Sequence, residues 1–137
     1  MNYLHSTVAV ALIVGVVAVA FAFGADEAKP AGAKGAGELF HVVSFKFKET
    51  ATPEQIKSVE KSFGALKTQI PQIASLKWGT NVSPEKHDKG FTHCFVLTFK
   101  NEKDRDAYLV HEDHKKFGGS LGPVLEDAFV LDFWAKE

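Results

Sequence analysis

His41, His93, Tyr108, His111 and His114 are the residues of this chain best suited to chemistry. A histidine exchanges a proton near neutral pH, and a tyrosine hydroxyl orients or protonates an oxygen. Together they suit acid–base work on a bound organic molecule. Nucleophile elbows, P-loops and dinucleotide fingerprints are absent from the sequence, so other common chemistries lose their usual signatures. The run His111-Glu112-Asp113-His114 holds potential metal ligands, but its spacing matches no established zinc motif. We therefore expect no metal and no cofactor. Each residue also has an ordinary structural reading. His41 and His93 fit hydrogen-bonded strand ends, Tyr108 fits the apolar face of a helix, and His111 to His114 fit a solvated helix end. His87 reads as exposed loop.

The elements that must position these groups follow from hydrophobic period. Glu38 to Lys48 alternates, with His41, Val43, Phe45 and Phe47 on one face, so it reads as a strand. Thr52-Pro53-Glu54-Gln55 carries an N-cap, a proline suited to the first helical position and a capping box. Ile56, Val59, Phe63, Leu66 and Ile70 then form one helical stripe, ended by Pro71. Leu76 to Val82 reads as a second strand. Phe91 to Lys100 is the clearest strand, with His93, Phe95, Leu97 and Phe99 sharing a face. Asn101 caps a second helix through about His111; Gly118, Gly119 and Gly122 mark a loop or broken turn. Ala128 to Trp134 reads as the last strand.

The order β-α-β-β-α-β predicts an α+β, ferredoxin-like unit: one antiparallel sheet with both helices on one face. We expect strands one and three to be parallel neighbours. His41 and His93, each near a strand start, would then lie close together. The second helix would return Tyr108, His111 and His114 to the same edge, and all five would share one pocket mouth. Phe45, Phe95 and Phe63 would line that pocket between sheet and helices. A small apolar or aromatic molecule is the expected ligand. If those three rings fill the space instead, assembly becomes the favoured role. The other sheet face carries Val42, Thr92, Cys94, Val96 and Thr98 and is too apolar for open water. Sheet-on-sheet pairing with a second copy, a dimeric α+β barrel, is the expected solution.

Composition sets the frame. The chain has 137 residues, and all 33 of its Lys, Arg, Asp and Glu lie after Ala25. Residues 1–25 read as a secretory signal peptide or N-terminal membrane anchor, because 16 of the 18 residues from Val8 to Ala25 are apolar. Cleavage near Ala22 to Ala25 and export, periplasmic or secreted, is the expected outcome. The rival is one uncleaved span, the only route here to membrane attachment. Residues 26–37, rich in Ala, Gly and Lys, read as a flexible linker. Residues 38–137 are enough for one core. A net charge of −1 argues against nucleic-acid binding. Cys94 is the single cysteine, so an intramolecular disulfide is impossible.

Phe40-His41-Val42-Val43-Ser44-Phe45-Lys46-Phe47-Lys48, Trp78-Gly79, Gly90-Phe91-Thr92-His93 and Tyr108-Leu109-Val110-His111-Glu112-Asp113-His114 together resemble the stress-responsive A/B barrel domain family. The resemblance spans roughly His41 to Phe133 and implies a ferredoxin-like unit that dimerises into a barrel. A cyclase member of that family closes a linear polyketide by aldol condensation. By that resemblance, His114 would remove a proton next to a carbonyl and Tyr108 would hold the substrate oxygen. The acids Glu112 and Asp113, and Glu60 on the first helix, depart from the cyclase pattern. Three functions are carried forward: an exported ligand-binding barrel, an acid–base cyclase or lyase, and a non-catalytic stress or assembly protein.

Overall fold

The computed structural model describes residues 37–136. The leader and all but the last residue of the linker lie outside them, and so does Glu137. Four strands and three helices follow in the order β1 (Leu39–Phe47), α1 (Pro53–Gln69), β2 (Ser75–Thr80), β3 (His93–Phe99), α2 (Glu102–Val110), α3 (Glu112–Ser120) and β4 (Leu125–Trp134). The sheet order is β2-β3-β1-β4 and every pairing is antiparallel. This is the ferredoxin-like α+β fold read from the sequence, with corrections in the details. No helix among the described residues is long and apolar enough to cross a membrane.

The first helix starts as its cap dictates. Thr52 Oγ1 accepts from the Gln55 backbone N–H at 3.3 Å, and Gln55 Oε1 accepts from the Thr52 N–H at 2.8 Å. Both otherwise orphaned donors are thereby satisfied. Val59, Phe63 and Leu66 face inward from this helix.

One expectation is overturned by the register. β1 and β3 run antiparallel, with His41 opposite Leu97 and Phe45 opposite His93. A crossover that returns through a helix leaves β2 parallel to β1, so the β2–β3 hairpin must set β3 antiparallel between them. His41 and His93 do share the helix-facing side. They stand four residues apart along β1, roughly 13 Å at strand rise.

A second correction concerns the return helix. It breaks at His111, which ends α2 and caps α3, and its extended backbone (φ −63°, ψ 142°) interrupts the helical path. His111 Nδ1 accepts the Asp113 N–H at 3.2 Å, as a side-chain N-cap does. Gly118 and Gly119, read as a loop or a broken helical turn, lie in the last turn of α3. The last strand also begins earlier than read, at Leu125.

The core between sheet and helices is aromatic. Phe45, Phe63, Phe95, Phe99, Tyr108 and Phe117 are all buried. Phe63 stacks on Phe95 with ring centres 3.9 Å apart, and Phe117 meets Phe63 edge-on at 5.0 Å.

Candidate functional site

The register divides the histidines into two groups. At the Leu39 end of the sheet, His41 lies under α2. Its ring meets Tyr108 edge-on at 5.6 Å, and Tyr108 lies 4.3 Å from His114. His41, Tyr108 and His114 therefore form one continuous cluster. His111 stands next to it at the helix break, half-buried and 3.5 Å from Asp113 Oδ2. His93 belongs to the other end. It is packed against Phe47 at 5.0 Å and lies nearly parallel to the Trp78 ring at 6.3 Å.

The two histidines of the cluster each have a defined hydrogen-bond partner. His114 Nδ1 lies 3.1 Å from the Leu109 carbonyl, an acceptor only, so Nδ1 carries the proton. The free lone pair of the neutral ring is then on Nε2. Burial is the chief reason that the His114 pKa falls below its ordinary value; nearby His41 and His111 push the same way, and the Leu109 carbonyl opposes them. The ring is thus held neutral, ready to accept a proton. Tyr108 is almost wholly buried. Burial, with the Asp132 charge adding to it, holds its phenol well above the ordinary value. The phenol keeps its proton and is available as a donor.

Asp132, on β4 directly across from His41, was not singled out from the sequence. Its Oδ1 lies 2.5 Å from His41 Nδ1, and its Oδ2 accepts from Arg105 Nη1 on α2. A buried histidine is given one tautomer this way: Nδ1–H donates to the carboxylate, which leaves the lone pair of the neutral ring on Nε2. The signal that would have found Asp132 was present. It is the one charged residue from Ala128 to Trp134 and has the parity of the helix-facing side, so it invites a search for a partner on the neighbouring strand.

His93 has its own partners. Nε2 lies 3.0 Å from Glu60 Oε1 on α1, and Nδ1 lies 2.9 Å from Thr92 Oγ1. It links α1 to the sheet. Phe45, Phe63 and Phe95, expected as pocket lining, pack on one another and on Phe117, so rings occupy that part of the space between sheet and helices. A concavity of about 640 Å³ opens elsewhere, on the sheet face away from the helices, beside Ser44, Cys94 and the loop after β2. No group of three potential metal ligands occurs among the described residues.

The arrangement at Tyr108 and His114 pairs a neutral base with a protonated phenol. It can remove a proton from a carbon or hydroxyl next to a carbonyl-type centre while the phenol holds the oxygen.

Comparison with known proteins agrees with the fold. Residues 39–135 match the family model described as Stress responsive A/B Barrel Domain. The chain is 30% identical over 97 residues to the stress-response A/B barrel domain-containing protein HS1 of Arabidopsis thaliana, covering 71% of this chain and 89% of that one. It is 27% identical over 93 residues to olivetolic acid cyclase of Cannabis sativa, covering 68% and 92%. The solved structure of hydroxynitrile lyase from Passiflora edulis superposes with a TM-score of 0.69 at 26% identity, covering 74% and 95%. Matched over its whole folded unit in sequence and in architecture, this chain belongs to the stress-responsive A/B barrel domain family.

Proposed function

We propose that this protein is an exported, homodimeric A/B barrel whose subunits each bind a small organic molecule at an acid–base centre. Tyr108 and His114 carry that chemistry. The observation behind the reading is the ring contact of 4.3 Å between a histidine with a free Nε2 and a phenol held protonated by burial. His114 takes a proton from a carbon adjacent to a carbonyl, or the hydroxyl proton of a hydroxynitrile as the carbonyl forms and cyanide leaves with the electrons of the carbon–carbon bond. Tyr108 donates to the developing oxygen charge, and His41, with its Nδ1–H on Asp132, supports the donor from beneath. Similarity to a cyclase and to a hydroxynitrile lyase supports a reaction that makes or breaks a carbon–carbon bond next to oxygen. The packing of Phe45, Phe63 and Phe95 on one another supports a small ligand at the His41 end over a large one between sheet and helices.

The test is turnover of simple hydroxynitriles and short linear polyketones by the wild type and by two variants. His114→Ala and Tyr108→Phe abolish turnover while the fold and dimer persist. Undiminished turnover in both overturns the reading.

The dimer rests on the sheet face away from the helices, where Leu131 and Phe133 stay about half exposed in the single subunit. Solved ferredoxin-like neighbours, among them a protein from Bacteroides fragilis, are described as dimeric. A monomer by size-exclusion with light scattering refutes it. Export rests on the apolar leader and is tested by the N-terminal sequence of the mature protein.

A second reading, a non-catalytic stress or assembly protein, is favoured by the aromatic filling of the space beneath the helices. It predicts that Val96→Arg destroys both the dimer and the biological activity, whereas His114→Ala changes neither.

A further inference from the structure

The helix-free sheet face has three rows of residues in register. Phe133, Phe40, Thr98 and Ser75 form the first row; Leu131, Val42, Val96 and Lys77 form the second. The third row is Phe129, Ser44, Cys94 and Gly79. The first two rows present bulky apolar groups toward β4, including Phe40 stacked on Phe133 at 5.1 Å. The third row has three small residues in succession. They recede, and the concavity of about 640 Å³ lies over them. The loop after β2 forms its far wall, and Phe91, edge-on to Phe129 at 6.5 Å, stands at its β4 end. The row crosses four strands, so the trough is roughly 14 Å long at ordinary strand spacing.

Its charge is one-sided. Lys77 and Lys89 line it, and neither forms an ion pair among the described residues. His87 adds a further titratable nitrogen. Asp88 is the one acid in the lining, and its Oδ1 is engaged by the Gly90 N–H at 2.8 Å. A shallow floor of small side chains suits a flat ring. The flanking Phe129 and Phe91 suit its edges, and unpaired ammonium groups suit a carboxylate.

We infer that this trough is a second ligand site, separate from the Tyr108–His114 centre, that takes a flat organic carboxylate. The ring lies over Ser44, Cys94 and Gly79, and the carboxylate turns toward Lys77 and Lys89. Pairing through the Phe133, Phe40, Leu131, Val42 and Val96 part of the first two rows leaves Lys77 and the third row as a channel at the edge of the dimer.

Isothermal titration with salicylate, and with salicyl alcohol as its neutral counterpart, tests the site on the full domain. Salicylate binds saturably and the alcohol at least tenfold more weakly. A Cβ at Gly79 meets no atom within 4 Å, so Gly79→Val starts its side chain into open space over the trough floor. It weakens salicylate at least tenfold. Lys77→Glu weakens salicylate and leaves the alcohol unchanged. His114→Ala leaves salicylate binding intact, which separates this site from the acid–base centre. Three results overturn the inference: no saturable binding, equal binding of acid and alcohol, or salicylate affinity untouched by Gly79→Val. A fourth also overturns it. If Gly79→Val abolishes the dimer in the absence of ligand, the trough is a seat for the second copy.

Discussion

His114 lies against Tyr108 with ring centres 4.3 Å apart, while its Nδ1–H is committed to the Leu109 carbonyl at 3.1 Å. The break between α2 and α3 creates this relationship. The Leu109 carbonyl is in the last turn of α2, where carbonyls lose their intrahelical partners. The first turn of α3 brings His114 back over it. An unbroken helix would carry His114 onward instead of folding it back onto Tyr108.

If Tyr108 and His114 act as proposed, the activity of the centre is broad in pH. Burial lowers the His114 pKa, so its base form persists below the ordinary histidine range near 6.5. Burial raises the Tyr108 phenol, so its donor form persists above the ordinary value near 10. We expect the rate to fall on the acid side at a pH below 6.5 and to hold past pH 10 until the fold itself fails. A rate profile with an acid limb above pH 6.5 contradicts the burial of His114.

The same shifts enter stability. His114 is harder to protonate folded than unfolded, so its contribution is present above about pH 6.5 and is lost as pH falls through the lower folded value. Tyr108 is harder to ionise folded than unfolded. Its contribution is present below about pH 10 and is lost as pH rises through the higher folded value. Denaturant midpoints of Tyr108→Phe should therefore lose less at strongly alkaline pH than those of the wild type. Parallel decline of the two proteins would mean that the phenol is not the alkaline trigger.

Asp132 should control the tautomer of His41. With Oδ1 accepting at 2.5 Å, the neutral ring is protonated at Nδ1. Asp132→Asn preserves shape and removes the charge that selects this form. We expect nitrogen chemical shifts of His41 to move toward the other tautomer, and turnover to fall with little change in global stability. Arg105→Met removes a competing cation and leaves the selecting charge in place, so it should keep His41 in the Nδ1–H form. Unchanged His41 shifts in Asp132→Asn would remove Asp132 from the centre.

Much of this was readable from period and cap alone. The alternation around Phe45 and Phe95, the Thr52 box and the stripe from Val59 to Leu66 each report a local rule, and local rules survive folding. The grouping of the histidines was not readable in the same way. Face parity placed His41 and His93 correctly on one side, but their distance depended on the direction of β3. The break at His111 was hidden because that residue has no glycine or proline signature; a side-chain nitrogen caps the new helix instead. Asp132 escaped, and Glu60 was singled out only as a departure from the cyclase pattern, because a single acid acquires meaning only when the fold sets a histidine opposite it.

Phe95 should be the most costly of the core rings to remove. It is fully buried, stacks on Phe63 at 3.9 Å and lies beneath Trp78 at 5.6 Å. Phe95→Ala removes one layer from a stack that joins α1 to the middle of the sheet. Large-to-small aromatic changes in cores cost about 3–5 kcal/mol. A domain of this size has about 5–15 kcal/mol in all, so the variant should be folded but with a much lower denaturant midpoint. A loss under about 1 kcal/mol would show that the rings are loosely packed and that the space between sheet and helices readily opens.

The face away from the helices should respond to charge in a graded way. Phe133 and Phe40 stack there, and Leu131 and Val96 continue the apolar surface across β4 and β3. In a sheet-on-sheet dimer Phe133→Arg puts an unpaired cation into the interface, whereas in a monomer the same side chain points to water and costs little. We expect Phe133→Arg to shift the protein to monomers and to make its thermal midpoint independent of concentration, while the wild-type midpoint rises with concentration. Lys77→Glu, on the same face but in the outermost strand, should leave the dimer intact. Equal loss of the dimer in both variants would place the contact over the trough instead of over the Phe40–Phe133 rows. If neither variant alters the oligomeric state, the two copies do not meet on this face.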